Sequence, residues 1–277
     1  MTAVMEPAAL EGIVDMPEDD YHAHPALSFS GAKKLLHPSC PALYRHSQDN
    51  PTPRKREFDL GHAAHKVVLG EGSELHVVDA GNYLTKKAQT ERDAAYDRGD
   101  IPVLPREFDQ VQAMAAKVRE HPIAGPLFSG PGLAEQSLFW TDPETGVPCR
   151  ARLDWLSHLV GDYKTSTSAE PGHIAKKVDE FGYYMQADWY LSGAVHLDLV
   201  APDAEFWFVF QDKNPPYLVT VVDLDDVALK IGHERNVQAR EIYRSCLESG
   251  VWPGYSNTVE RISLPYYAQR RYSEGIY

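Results

Sequence analysis

The chain has 277 residues, 43% of them hydrophobic and 24% charged, with a mean hydropathy of −0.41. This suits a globular protein of one or two domains with a sizeable core, and no apolar run approaches the ~20 residues of a membrane-spanning helix. The formal net charge of −13 excludes nucleic-acid binding by overall charge alone, because phosphate contacts call for a positive footprint.

The charge is unevenly placed. Residues 1–20 carry six acids (Glu6, Glu11, Asp15, Glu18, Asp19, Asp20) and no Lys or Arg, whereas basic groups cluster at Lys33-Lys34, Arg54-Lys55-Arg56, Lys86-Lys87, Lys176-Lys177 and Arg270-Arg271. The expectation is a local positive channel on an acidic exterior. No basic stretch followed by an apolar core opens the sequence, so no secretory signal is expected. Three widely separated cysteines, Cys40, Cys149 and Cys246, argue for a reducing, cytoplasmic compartment and against a disulfide framework. They are too few for a four-cysteine iron–sulfur cluster.

In chain order, residues 1–26 read as an acidic, flexible segment. Ser28 or Ser30 caps a short helix through Leu36, and a second covers Pro41–Ser47. Asn50–Arg56 is a basic loop suited to a phosphate backbone or simply to solvent. A helix over Phe58–Leu69 follows, then a short strand at His76–Val78. Lys86–Arg98 is a polar helix capped by Thr85, and Pro105 opens a core helix to about His121. Gly125–Gly132 reads as a loop and Glu135–Trp140 as a strand. Beyond residue 168 the pattern gives a helix from Pro171 to Phe181 and another to about Leu197. Strands at Glu205–Gln211 and Leu218–Asp223 come next, then a long helix over Asp225–Ser249. The tail from Trp252 is aromatic and basic; packing on the body, subunit contacts and base stacking all suit it.

The chemistry concentrates in Cys149–Lys164, CRARLDWLSHLVGDYK, which reads as two strands joined by a turn at Ser157-His158. Alternation puts Arg150, Arg152 and Asp154 on one face of the first strand and Ala151, Leu153 and Trp155 on the other. On the second strand Asp162 and Lys164 share a face, and Tyr163 points away. Two carboxylates and a lysine therefore converge. Hard divalent cations take carboxylate oxygens, water and substrate phosphate, and a nearby ammonium stabilises charge building on that phosphate.

Asp154, seven intervening residues and Asp162-Tyr163-Lys164 resemble the motif of the PD-(D/E)xK nuclease superfamily, with Leu153 where a proline is usually written. Gly61-His62-Ala63-Ala64-His65 resembles the GxxxH element of RecB-like and RecE-like nucleases, with His62 read as a packing histidine and Gly61 as room for a second backbone. Glu135 occupies the place of an acidic residue on the preceding strand of λ-exonuclease-type and RecE-type enzymes. Gln186 with Tyr190, one helical turn apart, resembles the Gln-xxx-Tyr element. The opening Leu27–Leu36 and Cys40–Tyr44 are similar to the entry segment of phage and prophage exonucleases of the RecE (exodeoxyribonuclease VIII) type.

The resemblance implies an α/β, restriction-endonuclease-like core: a central mixed β-sheet flanked by α-helices. It implies one nuclease domain over residues 27–277 with an N-terminal helical portion. The implied cofactor is Mg²⁺ or Mn²⁺, bound by His65, Asp154, Asp162, the Tyr163 backbone carbonyl and Glu135. Lys164 would position the attacking water, Glu135 would bind metal or accept a proton, and Gln186 would orient the site. Arg150 and Arg152 are candidate phosphate contacts, with a cross-strand salt bridge as the competing role. The implied activity is 5′→3′ exonucleolytic hydrolysis from double-stranded DNA ends in phage-type recombination. The implied partners are DNA, further copies in a ring-shaped homo-oligomer and a single-strand annealing protein. The alternatives are a RecB-like nuclease on single-stranded or flap DNA, and an inactive DNA-binding or assembly module.

Overall fold

The computed structural model describes residues 10–50 and 59–276. The basic loop expected over Asn50–Arg56 lies, from Pro51 on, outside them. The chain opens with β1 (Gly12–Ile13), α1 (Glu18–Ala23), β2 (Leu27–Ser28), α2 (Phe29–Leu35), α3 (Pro41–Asp49) and α4 (Asp59–Leu69). Then come β3 (Leu75–Val77), α5 (Lys86–Asp97), β4 (Ile101–Val103), α6 (Pro105–Glu120) and α7 (Ala124–Ser129). The next region forms β5 (Leu133–Thr141), β6 (Pro148–Leu156) and β7 (Val160–Ser166). It is followed by α8 (Pro171–Phe181), α9 (Tyr183–His196), β8 (Phe206–Asp212), β9 (Val219–Val222), α10 (Asp226–Ser249) and α11 (Tyr266–Ser273). Helix starts follow the side chains that can accept from free N–H groups: Ser28 from Gly31, Thr85 from Ala88, Glu170 from Gly172 and His173, and Asp225 from Ala228.

Seven of these strands form one mixed sheet in the order β1-β5-β6-β7-β8-β9, with β2 pairing parallel to β6. β5, β6 and β7 are antiparallel, and β7 and β8 run parallel over their whole length. The sheet is covered on both faces. Ala151, Leu153, Phe208 and Phe210 join the core beneath α9 and α10, while Tyr163, Val209 and Val111 join the core beneath α4 and α6.

β6 and β7 pair only at Trp155–Gly161 and Leu156–Val160. Beyond that step they fork, and the backbone groups inside the fork need other partners. β2 pairs with β6 at Cys149 and Arg150. The Trp189 indole N–H donates to the Arg150 carbonyl at 3.0 Å, and the Asp154 carboxylate accepts from the Tyr163 N–H at 2.8 Å.

α9 is pinned from two sides. A Cβ on Gly193 would lie 2.7 Å from the Trp140 ring, and a Cβ on Gly232 of α10 would lie 2.2 Å from the Tyr184 carbonyl oxygen. Asn236 reinforces the second contact by donating to the Met185 carbonyl and to Asp188, each at 2.8 Å.

Several expectations change. The segment expected to be flexible over residues 1–26 is, from Leu10 on, built onto the body: β1 pairs with β5, and Tyr21 is 5% exposed. The stretch read as a loop contains α7, because Ala124, Gly125 and Leu127 are buried against α6. Trp155 leaves the face of Ala151 and Leu153 and packs in the opposite core, since the β5–β6 ladder is interrupted at Glu135 and Asp154. Gly61 faces only the Thr165 hydroxyl, 3.6 Å from an added Cβ, so it admits no close backbone. In the tail Trp252 stacks on Tyr44, but Val259, Ile262, Leu264, Tyr266 and Tyr272 are exposed.

Gly232→Ala would force α9 and α10 apart. Urea denaturation should show a loss of about 1–3 kcal/mol, against the usual small gain from alanine in a helix interior.

Candidate active site

The fork sets the site. Asp154 sits at its mouth on β6, and Asp162 and Lys164 lie on β7. α4 contributes His65, whose Nδ1 is 3.5 Å from Asp154 Oδ2, and the His65 ring meets the Tyr163 ring edge-on at 5.1 Å. Glu135 is the cross-strand neighbour of Asp154 and has φ +53°, a left-handed conformation that a non-glycine residue adopts at a cost. The strain coincides with the gap in the ladder and turns the Glu135 carboxylate to the same side as Asp154. Ligand atoms of His65, Glu135 and Asp154 all lie within 4.8 Å of one another.

A second group lies deeper. Lys164 Nζ is 2.6 Å from Asp162 Oδ2, and Gln186 on α9 donates to Asp162 Oδ1 at 2.6 Å. The Tyr190 side chain hydrogen-bonds to Gln186 and lies within the field of both aspartates. Tyr183 places its ring 5.1 Å from the Lys164 ammonium.

Electrostatics separates the groups. Burial, then the Asp162 charge, pushes Asp154 up to about 8, against the pull of Lys164 and the Tyr163 N–H. Burial and Asp154 raise Glu135 as well, although Arg152 opposes them. Burial and Lys164 lower His65, which favours a neutral imidazole, against the pull of Glu135, Asp162 and a backbone hydrogen bond with Tyr163. Burial works to depress Lys164, but Asp162 and Asp154 outweigh it and leave the amine raised and cationic.

These residues fit a divalent cation. Two ionised carboxylates this close repel by about 3–4 kcal/mol at an effective dielectric near ~20. A neutral imidazole beside two carboxylates is a donor set for Mn²⁺ or, with more water, Mg²⁺.

Asp162, expected among the metal ligands, lies outside the three-residue cluster. Its side chain is 2% exposed; Lys164 stands beside it as an ion pair and Gln186 donates to Oδ1, while its buried Oδ2 accepts no hydrogen bond among the described residues. Arg150 and Arg152 line the cleft beside Asp154 and are also tied into the protein around them. Arg152 makes the cross-strand ion pair, with Nε 2.9 Å from Glu135 Oε2, and donates to the Ser137 hydroxyl at 2.7 Å. Arg150 is 6% exposed, and its guanidinium lies 4.7 Å from the Tyr21 ring centre. Gln186 touches Asp162 and not the three-residue cluster. Tyr21 is the residue that sequence reasoning missed; it lies outside the motif region and carries no spacing that marks it. It joins His62, His65, Glu135, Asp154 and Tyr190 around a cleft of about 290 Å³.

The family model described as "PDDEXK-like domain of unknown function (DUF3799)" matches residues 28–265. The chain belongs to this PDDEXK-like family. Its mixed sheet with helices on both faces is a PDDEXK-like architecture. No curated protein matches the sequence. Among solved structures, a protein of Eubacterium rectale named as a "putative exonuclease" is similar with a TM-score of 0.59 at 12% identity, over 92% of this chain and 98% of that one. At that identity the likeness is one of fold. The structure of SSO0001, with a TM-score of 0.26 at 14% identity over 67% of this chain and 86% of that one, carries no argument. Among the described residues no helix of this PDDEXK-like chain is long and apolar enough to cross a membrane.

The raised Asp154 fixes the sign of a pH effect. A carboxyl whose folded pKa exceeds its unfolded value near ~3.9 stabilises the fold at low pH, and that stability is lost as pH rises through about 8. Metal-free protein should therefore melt at falling temperature between about pH 4 and pH 8, by roughly 2–4 °C per kcal/mol. Asp154→Asn should flatten that slope, and Mn²⁺ should reverse it in the wild type; calorimetry across the pH series reads both.

Proposed function

We propose that this PDDEXK-like protein is a metal-dependent exodeoxyribonuclease that hydrolyses phosphodiester bonds from the ends of double-stranded DNA. The observation that carries the reading is the convergence of His65, Glu135 and Asp154, from three separate elements, next to a cationic lysine held by Asp162. In this reading the partners are DNA ends, further copies in a ring and a single-strand annealing protein, and the polarity is 5′→3′.

His65, Glu135 and Asp154 would hold the ion, together with the Tyr163 backbone carbonyl. When bound, a divalent cation supplies a water of lowered pKa and neutralises charge on the phosphate. Lys164 is kept protonated by its two aspartates, so it donates to the attacking water or the phosphate oxygen and takes no proton itself. Glu135, raised by burial and by Asp154, is the carboxylate suited to receive the water proton. Asp162 and Gln186 fix Lys164, and their bonds set the distance between ammonium and cleft. His65 remains neutral and offers a ring nitrogen.

Digestion of end-labelled linear duplex with Mg²⁺ or Mn²⁺, with covalently closed circular duplex as control, tests the reading. Linear DNA should be degraded only with metal, and the circle should persist. Asp154→Ala and Lys164→Ala should each reduce the rate by about 10²–10³-fold. Unchanged digestion by Asp154→Ala, or no digestion of any DNA by the wild type, would overturn it. Gln186→Ala should cost less than Lys164→Ala, because it touches Lys164 only through Asp162.

A further inference from the structure

Residues 10–25 precede the span that the family model matches, 28–265, yet they form one wall of the cleft. The segment is anchored at its root. Gly12 and Ile13 pair with Phe139 and Leu138, the Val14 N–H donates to the Ser137 carbonyl at 2.9 Å, and Leu10, Val14 and Met16 pack around Tyr21, Ala26 and Phe139.

From that root the segment crosses β6 beside the site. Tyr21 lies over Arg150 at 4.7 Å and Arg152 at 6.0 Å. The Met16 carbonyl accepts from Arg152 at 3.3 Å, and the His22 carbonyl accepts from Arg150 at 3.2 Å. Glu18, Tyr21 and His22 face the cleft. Arg150 precedes Asp154 by four residues, about 13 Å of strand. A nucleic-acid strand over Asp154 that continued in that direction would run into Tyr21. It would also meet the first turn of α1, where Glu18, Asp19 and Asp20 repel phosphate.

The opposite flank carries basic groups, of which Lys33 and Lys177 also bind Glu180. The Lys164 ammonium lies 5.1 Å from the Tyr183 ring, Tyr183 packs on Phe181 at 5.6 Å, and Lys33 and Lys177 flank Phe181 at 5.8 and 5.2 Å. Basic and aromatic groups thus extend beyond Lys164 on one side, while on the other the segment 10–25 packs over Arg150 and Arg152.

We infer that the segment 10–25, through Tyr21, acts as a stop that admits a strand terminus to Asp154 and excludes a strand interior. This rests on the nuclease reading above and names the element that makes the site end-dependent. Tyr21 is a positioning residue here: it limits where the substrate can lie and takes no part in the chemistry.

The test compares linear and circular single-stranded DNA, which share chemistry and differ only in having ends. The full-length wild type with Mn²⁺ should digest the linear strand and spare the circle. Tyr21→Ala removes the ring from the wall. Val14→Pro removes the N–H that holds the root to Ser137, well away from the cleft, and so releases the segment without altering the wall itself. Each should raise cleavage of circular single strands by roughly tenfold or more, about 1.4 kcal/mol in barrier, while linear digestion persists. A structural role alone would lower both activities together. Variants that still digest the linear strand but leave the circle intact, or a wild type that cuts both equally, would overturn the inference. A wild type that degrades the linear duplex but neither single strand would also overturn the inference, and one that degrades no DNA at all would fell the nuclease reading itself.

Discussion

The fork between β6 and β7 is the constraint on which the rest depends. Two strands that start as a hairpin and then part leave backbone groups that must be satisfied in a buried place. The Tyr163 N–H finds the Asp154 carboxylate, and the Arg150 carbonyl finds the Trp189 indole. The first of these bonds fixes an acidic group where His65 of α4 and Glu135 of β5 reach it. The geometry of the site is therefore a by-product of repairing a broken ladder.

The charges at the fork divide into a stable and an unstable half. Asp162, Lys164 and Gln186 form a set in which an ion pair and an amide hydrogen bond offset the buried charge, although Asp162 Oδ2 accepts no hydrogen bond among the described residues. Glu135 and Asp154 have no such balance. Arg152 compensates Glu135 in part, but both carboxyls are raised by burial and by their acidic neighbours. The protein tolerates this only because the sheet enforces it: Glu135 is held at a positive φ opposite Asp154. An arrangement that costs the fold free energy is one that a bound cation would relieve, and this links local strain to the proposed chemistry.

Much of this was legible in the sequence. The hairpin, its turn and the lines of Arg150, Arg152, Asp154, Asp162 and Lys164 follow from period-two alternation. The helix of His65 and the helix pairing Gln186 with Tyr190 follow from 3.6-residue spacing. What alternation could not show was where it fails. Trp155 changes sides because the ladder skips a step at Glu135 and Asp154, and a backbone dihedral leaves no mark on residue type. Nor could it show that Asp162 would be spent on Lys164 and Gln186, since which carboxylate faces inward depends on the distant helix α9. The N-terminal segment was misread for a compositional reason: its acids suggest disorder, while a few apolar residues, Leu10, Val14, Met16 and Tyr21, suffice to anchor it. The placement of helix α7 likewise depends on its fit against α6 and not on its own Gly- and Pro-containing pattern.

The polypeptide beyond Pro253 follows a different economy. The Pro253 carbonyl still accepts from Ala42, and Trp252 is still stacked on Tyr44, but Val259, Ile262, Leu264, Tyr266, Tyr267 and Ile276 are left in water. Hydrophobic stabilisation scales with the area withdrawn from solvent, so these side chains contribute little to holding this chain together. The folded body that carries the cleft thus owes little of its stability to the exposed side chains of the terminal stretch.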